Sequence, residues 1–142
     1  METKSPSSRL SAEDEAVTLS DSPLSLDEAV RRVAGPEHGA LITFSGCVRE
    51  TEKGTVIRAI AYESYVAMAR QQLGAIAAEA RRRFGVALSI HHRLGRVPVG
   101  EASLIVACAA PHRAEAFDGL RFVVERIKSE AAIWKVDFEN VP

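Results

Sequence analysis

Lysine is rare in the main part of this chain, and two lysines lie close together near the C-terminus. Residues 26–142 contain thirteen arginines but only three lysines, Lys53, Lys128 and Lys135. A lysine, unlike an arginine, can lose its proton or attack a carbonyl carbon. Lys128 falls in the last turn of a predicted helix and Lys135 on the next strand, so a short turn would bring the two amines together. The pair is a candidate catalytic group. The alternative is a lysine that suits a helix end and another that solubilises an edge strand.

A second candidate lies where a buried strand meets a helix, at Ala110-Pro111-His112-Arg113. Proline suits the first helical turn because its missing amide hydrogen is not needed there. Residues 109–113 contain no Ser, Thr, Asp or Asn that could cap the free amides. A helix N-terminus with unused donors beside His112 and Arg113 predicts a site for a phosphate or a carboxylate. A structural histidine and a surface arginine are the alternative.

Arg49 is the third candidate, at the end of the apolar strand GALITFSGCV, where Gly46 would allow close backbone approach. A solvent-facing arginine is the alternative here. His91 and His92 are neighbours on a predicted strand, so they face opposite sides and cannot chelate one metal. The sequence has no glycine-rich phosphate loop, no H-E-x-x-H, no cysteine pair at metal spacing and no G-x-S-x-G. We therefore expect neither a bound metal nor a cofactor.

Length and composition predict one globular domain. The chain has 142 residues, 46% hydrophobic and 26% charged, and a formal net charge of −1. That charge argues against a nucleic-acid binder with a broad basic face. No apolar run is long enough for a membrane span, and the N-terminus does not resemble a secretory signal. The two cysteines, Cys47 and Cys108, lie in apolar stretches and predict reduced thiols in a cytoplasmic protein.

The elements that must position these candidates are three helices and five strands. Ser25 and Glu28 have the spacing of a capping box in which each side chain satisfies a free amide at the start of the first helix. The predicted elements are a helix from Leu26 that ends near Gly35-Pro36, strands 39–48 and 55–64, a helix 66–84, strands 86–92 and 102–109, a helix 111–130 and a strand 133–138.

This order of elements predicts an α+β fold with helices packed on a mostly antiparallel sheet. Strands 39–48 and 102–109 are apolar on both faces and are expected in the sheet interior, whereas strand 86–92 should bury one face. Strands 39–48 and 55–64 could form a hairpin. Residues 1–24 are rich in serine and lack apolar periodicity, which indicates a disordered or loosely attached arm, with the single domain spanning 25–142.

Several segments together resemble the MoaE family, the catalytic (large) subunit of molybdopterin synthase. They are FSGCVRE, YESY, IHHRLGRVPVGEASLIVACAAPHRAEAF and IKSEAAIWK, between about Gly39 and Asp137. The resemblance implies an α+β fold of the α/β-hammerhead type and a sulfurtransferase of molybdenum cofactor biosynthesis. Such an enzyme converts cyclic pyranopterin monophosphate (precursor Z) to molybdopterin by installing the two sulfurs of its dithiolene.

The resemblance also implies partners and site residues. Sulfur would arrive as a thiocarboxylate on the C-terminal Gly-Gly of a small ubiquitin-like (MoaD-type) subunit, within a heterotetramer built on a homodimer of large subunits. Lys128 and Lys135 match the family's catalytic lysines and would stabilise an oxyanion and transfer protons. The residues that match substrate-binding positions of the family are Cys47, Val48, Arg49, His112, Arg113, Lys128, Lys135, Val136 and Asp137.

The chain also departs from the family pattern. Cys47 replaces a common lysine, Ala132 a usual proline, and Val136 and Asp137 a usual basic residue and glutamate. A second hypothesis is therefore kept: a non-catalytic dimeric module that binds a phosphorylated metabolite. Such a module would need Arg49, His112 and Arg113 but neither Lys128 nor Lys135.

Overall fold

The computed structural model of the protein describes residues 16–142, which form eight strands and three helices. The elements, in chain order, are β1 (Val17–Ser20), α1 (Leu26–Arg31), β2 (Ala40–Cys47), β3 (Thr51–Glu52), β4 (Thr55–Ser64), α2 (Val66–Phe84), β5 (Ala87–Arg93), β6 (Gly95–Pro98), β7 (Ala102–Ala110), α3 (Arg113–Glu130) and β8 (Ile133–Asn140). None of the helices in this range is long and apolar enough to span a bilayer.

The strands form two four-stranded sheets rather than one. The first has the order β1-β5-β7-β2, and in the second β4 pairs with β3, β6 and β8. Among the described pairs only β1 and β5 are parallel. The predicted α+β class is confirmed, but the predicted hairpin of β2 with β4 is wrong. Strand β2 pairs with β7 along its whole length, from Ala40 opposite Ala110 to Cys47 opposite Ala102, while β3 forms the hairpin with β4.

The fold begins before Ser25, where the sequence predicted its start. Residues 17–20 pair in parallel with residues 90–93 of β5, and Ala16 and Val17 are buried. The expected loose arm over residues 1–24 is therefore wrong for this strand, because two apolar residues suffice to anchor a short edge strand on the sheet. Residues 1–15 lie outside the described part of the chain.

Burial of the strands differs from the expectation in two places. Strand β7 is buried on both faces, as predicted, but β2 is an edge strand whose alternate residues are exposed. Strand β5 was expected to bury one face and is buried on both, because α2 packs against one side and α1 against the other. His91 and His92 are thus both buried, on opposite faces of one strand.

Helices α2 and α3 pack on the first sheet and enclose the main core. The buried side of α2 includes Leu73 and Ile76, and that of α3 includes Val123 and Ile127. Phe117, in the first turns of α3, is 58% exposed. The inward position of that first turn belongs to Ala116, because seven residues before Val123 is nearly two full helical turns.

Only one of the two hydrogen bonds of the predicted capping box forms at the start of the short helix α1. The Ser25 hydroxyl accepts a hydrogen bond from the amide of Glu28 at 3.1 Å. The Glu28 carboxylate does not return to the backbone, since it forms ion pairs with Arg31 and Arg32. The Glu28 carboxylate therefore accepts from two guanidinium groups instead of from the backbone amide of the capping box.

Candidate functional site

A cavity of about 460 Å³ opens where the two sheets meet the C-terminal end of α3. It is bordered by the ends of β2 and α3, by the short strand β3, and by β4, β5, β7 and β8. The residues that line it are Gly46, Cys47, Val48, Arg49, Glu52, Ile60, Tyr62, His92, Ser103, Leu104, Ile127, Lys128, Ala131, Ile133, Trp134 and Lys135. Five of the nine residues predicted for the site, including both lysines and Arg49, are among them.

Arg49 reaches the cavity because the chain after β2 is held on both sides. The Val48 amide donates to the Glu101 carbonyl at 3.0 Å, and the Val48 carbonyl accepts from the Gly100 amide at 2.8 Å. The β2–β7 register shifts between Gly46 and Cys47, a bulge that redirects the end of the strand. A Cβ on Gly46 would lie 3.1 Å from the Phe44 ring, so any other residue here would require that ring to shift by a few tenths of an ångström.

Lys128 and Lys135 meet the same cavity because the link between α3 and β8 is short. Only residues 131 and 132 separate the two elements, and the Ala132 amide donates to the Gln72 side chain of α2 at 2.7 Å. This contact fixes the turn against α2. Both lysines line the same cavity as a result.

Glu52 is the one carboxylate among the lining residues, and it faces Lys135. Its Oε1 lies 3.7 Å from the Lys135 Nζ, and the glutamate side chain is only 18% exposed. Lys53 and Gly54 both have positive φ, at 51° and 80°, and form the two-residue turn between β3 and β4. This tight turn holds the Glu52 carboxylate inside an otherwise cationic cavity.

His92 lies at the buried side of the cavity. Its Nδ1 is 2.8 Å from the carbonyl oxygen of Arg93, and the edge of its ring contacts Tyr62 with 5.4 Å between centroids. Burial lowers the pKa of His92 below its ordinary value of 6.5. The hydrogen bond to Arg93 opposes this shift, and the positive charge of Lys128 adds to it. The imidazole is therefore kept neutral beside a lysine.

Four of the predicted site residues lie outside this cavity. His112 is the N-cap of α3 and Arg113 its first residue, and both are exposed. Sixteen residues separate His112 from Lys128, which at about 1.5 Å per residue is about 24 Å of helix. His112 and Arg113 therefore cannot reach the cavity of their own chain. Val136 and Asp137 follow Lys135 on β8 but do not line the cavity.

The start of α3 is as open as the sequence predicted. No side chain caps it, and the Ala116 amide makes only a long bond, 3.4 Å, to the His112 carbonyl. A Cβ on Gly39 would lie 2.6 Å from the Pro111 carbonyl oxygen, so glycine lets the start of β2 pass against this turn. His112 and Arg113 thus lie at the opposite end of β2 from Cys47.

Sequence reasoning missed several lining residues, above all Glu52, Tyr62 and His92. His92 was considered only as a metal ligand, and the alternation of β5 gave no sign that a second sheet would cover that face. Glu52 directly precedes the Lys53-Gly54 turn, a signal for a tight hairpin that would have placed its side chain near the end of β2. Among residues 16–142, no three His, Cys, Asp or Glu side chains are grouped as a metal site.

Comparison with known proteins gives consistent results. A family model described as MoaE protein matches residues 19–130. The chain is 38% identical over 123 residues to "Molybdopterin synthase catalytic subunit 1" of Mycobacterium tuberculosis, covering 86% of this chain and 84% of that protein. It is 45% identical over 98 residues to the "Molybdopterin synthase catalytic subunit" of Oryza sativa subsp. indica, 68% of this chain but 51% of that longer protein.

A solved structure supports the same grouping. The crystal structure of molybdopterin synthase from Staphylococcus aureus superposes with a TM-score of 0.79 and 29% sequence identity. The match covers 86% of this chain and 88% of that chain. The α+β architecture described above is therefore the architecture of that protein as well.

Proposed function

The chain belongs to the MoaE family, and on that premise we propose that it is the catalytic subunit of a molybdopterin synthase. It transfers sulfur from the thiocarboxylated C-terminus of a small ubiquitin-like subunit to cyclic pyranopterin monophosphate, and so forms the dithiolene of molybdopterin. The observation that carries the proposal is the convergence of Arg49, Lys128 and Lys135 on one cavity of about 460 Å³. A volume of this order is typical of sites for small molecules.

The lining residues suit the charges of this reaction. The substrate carries a phosphate and the sulfur donor a thiocarboxylate, so both reactants bring negative charge to the cavity. Arg49 offers a planar fork that matches a phosphate or carboxylate. Lys128 and Lys135 offer ammonium groups that stabilise the oxyanion formed when the acyl carbon is attacked, and that supply protons as sulfur adds.

His112 and Arg113 serve the cavity of a second copy of the chain. This part of the proposal rests on the length of α3, because about 24 Å of helix separates His112 from Lys128. An exposed imidazole and guanidinium at an uncapped helix start are suited to bind the substrate phosphate. The active enzyme is then a homodimer within a heterotetramer, with each site built from two chains.

A cytoplasmic location is also part of the proposal. The two cysteines of the chain are unpaired, Cys47 being exposed and Cys108 buried. Burial raises the pKa of the Cys108 thiol to about 12, so it stays protonated and unreactive. An exposed free thiol in the cavity suits a reducing compartment.

The decisive experiment is reconstitution of the reaction. The purified chain is mixed with a thiocarboxylated small subunit and cyclic pyranopterin monophosphate, and the dithiolene product is measured. We expect product with the unaltered chain and a large loss with Lys128→Ala. Lys53→Asn is the matched control, because it also removes a lysine charge. Lys53 lies in the β3–β4 turn at positive φ, a conformation that asparagine tolerates.

Two outcomes would contradict the proposal. One is the absence of product from the unaltered chain with a competent small subunit. The other is substrate binding that survives the loss of both lysines while no turnover is detected in any variant. The second result is the behaviour expected of a non-catalytic module that binds a phosphorylated metabolite.

A further inference from the structure

His92 is the single imidazole among the residues that line the cavity. It lies on β5 opposite Leu104 of β7, which also lines the cavity, and it is 7% exposed. The mechanism above gives it no role. A buried titratable side chain at the wall of a catalytic cavity needs an explanation.

The contacts of the ring define which nitrogen carries the proton. A backbone carbonyl can only accept, so the 2.8 Å contact with the Arg93 oxygen places the hydrogen of the neutral ring on Nδ1. Nε2 then carries a lone pair. None of residues 16–142 forms a hydrogen bond with Nε2, which leaves it available to a molecule in the cavity. The Tyr62 ring, packed at 70° to the imidazole, holds its plane.

The charged groups that line the cavity with His92 complement this role. They are Lys128 of α3, whose charge acts on His92, Lys135 of β8 with its partner Glu52 of β3, and Arg49 after β2. Ammonium and guanidinium groups can only donate, and the Glu52 carboxylate is engaged with Lys135. On its own strand, Arg93 pairs with Glu101 at 2.7 Å. His92 therefore supplies the neutral proton acceptor of the cavity, and burial keeps its pKa below 6.5.

Sulfur transfer creates a step that needs such an acceptor. When the thiocarboxylate sulfur bonds to a substrate carbon, it is still attached to the acyl carbon of the small subunit, so a thioester joins the two. Building on the proposed function, we propose that His92 is a further catalytic residue whose Nε2 takes a proton from the water that cleaves this thioester. The lysines stabilise the oxyanion of the same step.

The atoms and electrons of this step balance without a further reactant. Water adds to the acyl carbon, a C–O bond forms and the C–S bond breaks, with its electron pair leaving on sulfur. The proton taken by Nε2 passes to the departing thiolate. The products are a thiol on the substrate and the carboxylic acid of the small subunit, which loses its proton to solvent.

The test is His92→Asn in the reconstituted reaction. The asparagine amide can still donate to the Arg93 carbonyl, but nothing replaces Nε2. The covalent adduct of substrate and small subunit is followed by mass spectrometry of denatured samples, together with the dithiolene product. We expect the adduct to form and accumulate, and product release to fall about a hundredfold or more.

His91→Asn is the matched control. His91 is also a buried histidine, but it lies on the opposite face of β5. It forms a hydrogen bond with Ser89 and does not line the cavity. This variant should release product at the unaltered rate when assayed below its melting temperature. A rate loss as large in His91→Asn as in His92→Asn would overturn the proposal, since it would reflect damage to the strand.

Further outcomes separate this proposal from the one on which it rests. Normal product release by His92→Asn overturns the role of His92 and leaves the synthase function intact. Loss of adduct formation, with the variant folded, also overturns it, because His92 would then act before hydrolysis. If the unaltered chain forms neither adduct nor product, the synthase function itself fails.

The pH dependence of the unaltered chain keeps the proposal testable if His92→Asn does not fold. Protonation of His92 removes the acceptor, so adduct hydrolysis should slow as the pH falls, with an apparent pKa under 6.5 because burial lowers the pKa of His92. A hydrolysis rate that stays level down to the lowest pH at which the chain remains folded would overturn the proposal.

Discussion

The two ends of helix α3 have different surroundings, although the sequence marks both with cationic side chains. At the C-terminal end, Lys128 joins a cavity lined by residues from six of the eight described strands, and the short link to β8 brings Lys135 to the same cavity. At the N-terminal end, His112 and Arg113 are exposed and outside that cavity. The C-terminal end contributes to a cavity formed within its own chain, whereas the N-terminal end exposes His112 and Arg113 on the surface.

This contrast explains why the residues that match the family's site lie in two separate places within one chain. The length of α3 keeps its ends about 24 Å apart, whatever its side chains do. A site that needs both ends must therefore take them from two molecules. We expect the C-terminal end to control the rate of the chemical steps and the N-terminal end to control substrate binding.

The largest effect should come from the C-terminal end. Lys128→Ala removes one donor to the oxyanion, and we expect kcat to fall about a hundredfold to a thousandfold. The folded state should persist, because the Lys128 side chain is exposed and forms no ion pair with residues 16–142. Steady-state kinetics with Lys53→Asn as the control test this, and a change confined to KM would contradict the assignment.

The N-terminal end should show a smaller effect, and on KM. Arg113→Ala removes a charged contact to phosphate, so we expect KM to rise about tenfold or more with kcat little changed. Arg121→Ala, an exposed arginine two turns further along α3, is the matched control. Equal KM changes in the two variants would show a general charge effect rather than a site.

Mixed dimers would decide whether the second copy supplies His112 and Arg113. Assayed at substrate concentrations well below KM, where Lys128→Ala and His112→Ala chains are each weakly active alone, a mixture of their subunits should regain about a quarter of the unaltered activity, since one site in four is then intact. Activity of the mixture no higher than that of the separate variants would mean that each site uses one chain.

Within the cavity, Glu52 should weaken the binding of anions by a modest amount. Its carboxylate faces Lys135 at 3.7 Å, so Glu52→Gln removes a negative charge from a cavity that, in the proposed function, receives a phosphate. We expect KM to fall by about two- to fivefold. Glu50→Gln is the matched control, because Glu50 is exposed and does not line the cavity. An unchanged or higher KM for Glu52→Gln would show that the carboxylate helps to bind substrate.

The last prediction concerns stability below neutral pH rather than activity. Burial lowers the pKa of His91 and of His92, so below 6.5 the unfolded chain binds protons that the folded chain does not. The free energy of unfolding should therefore fall as the pH drops from 6.5 to about 5, by at most about 1.4 kcal/mol per pH unit for each histidine. Urea unfolding of His91→Asn should show a weaker dependence, and an identical slope would contradict this cause.

The local elements could be predicted well from the chain. The strand from Thr55 to Ser64 and the helix from Val66 to Phe84 have the predicted bounds, because apolar periodicity and Gly85 act over a few residues. Strand pairing could not be predicted as well. The β2–β4 hairpin was wrong because two neighbouring apolar strands can pair with each other or with distant strands, and local pattern does not distinguish these cases.

Part of the site could be predicted because lysine is scarce and stands at the ends of two successive elements. His92 could not, since it reaches the cavity only when the second sheet covers the end of the first, and for Glu52 the one local signal was the tight Lys53-Gly54 turn beside it. Their chemical roles depend on neighbours that lie more than thirty residues away, such as Lys135 for Glu52 and Lys128 for His92.

The linear order of residues was enough to specify the α+β class, the main helices and the cationic groups, because side-chain periodicity and capping operate within one or two turns. Packing specified the rest: the split into two sheets, the edge position of β2, and the separation of His112 from Lys128. These features depend on which distant surfaces fit together, and on the rigid length of a helix that holds its two ends apart.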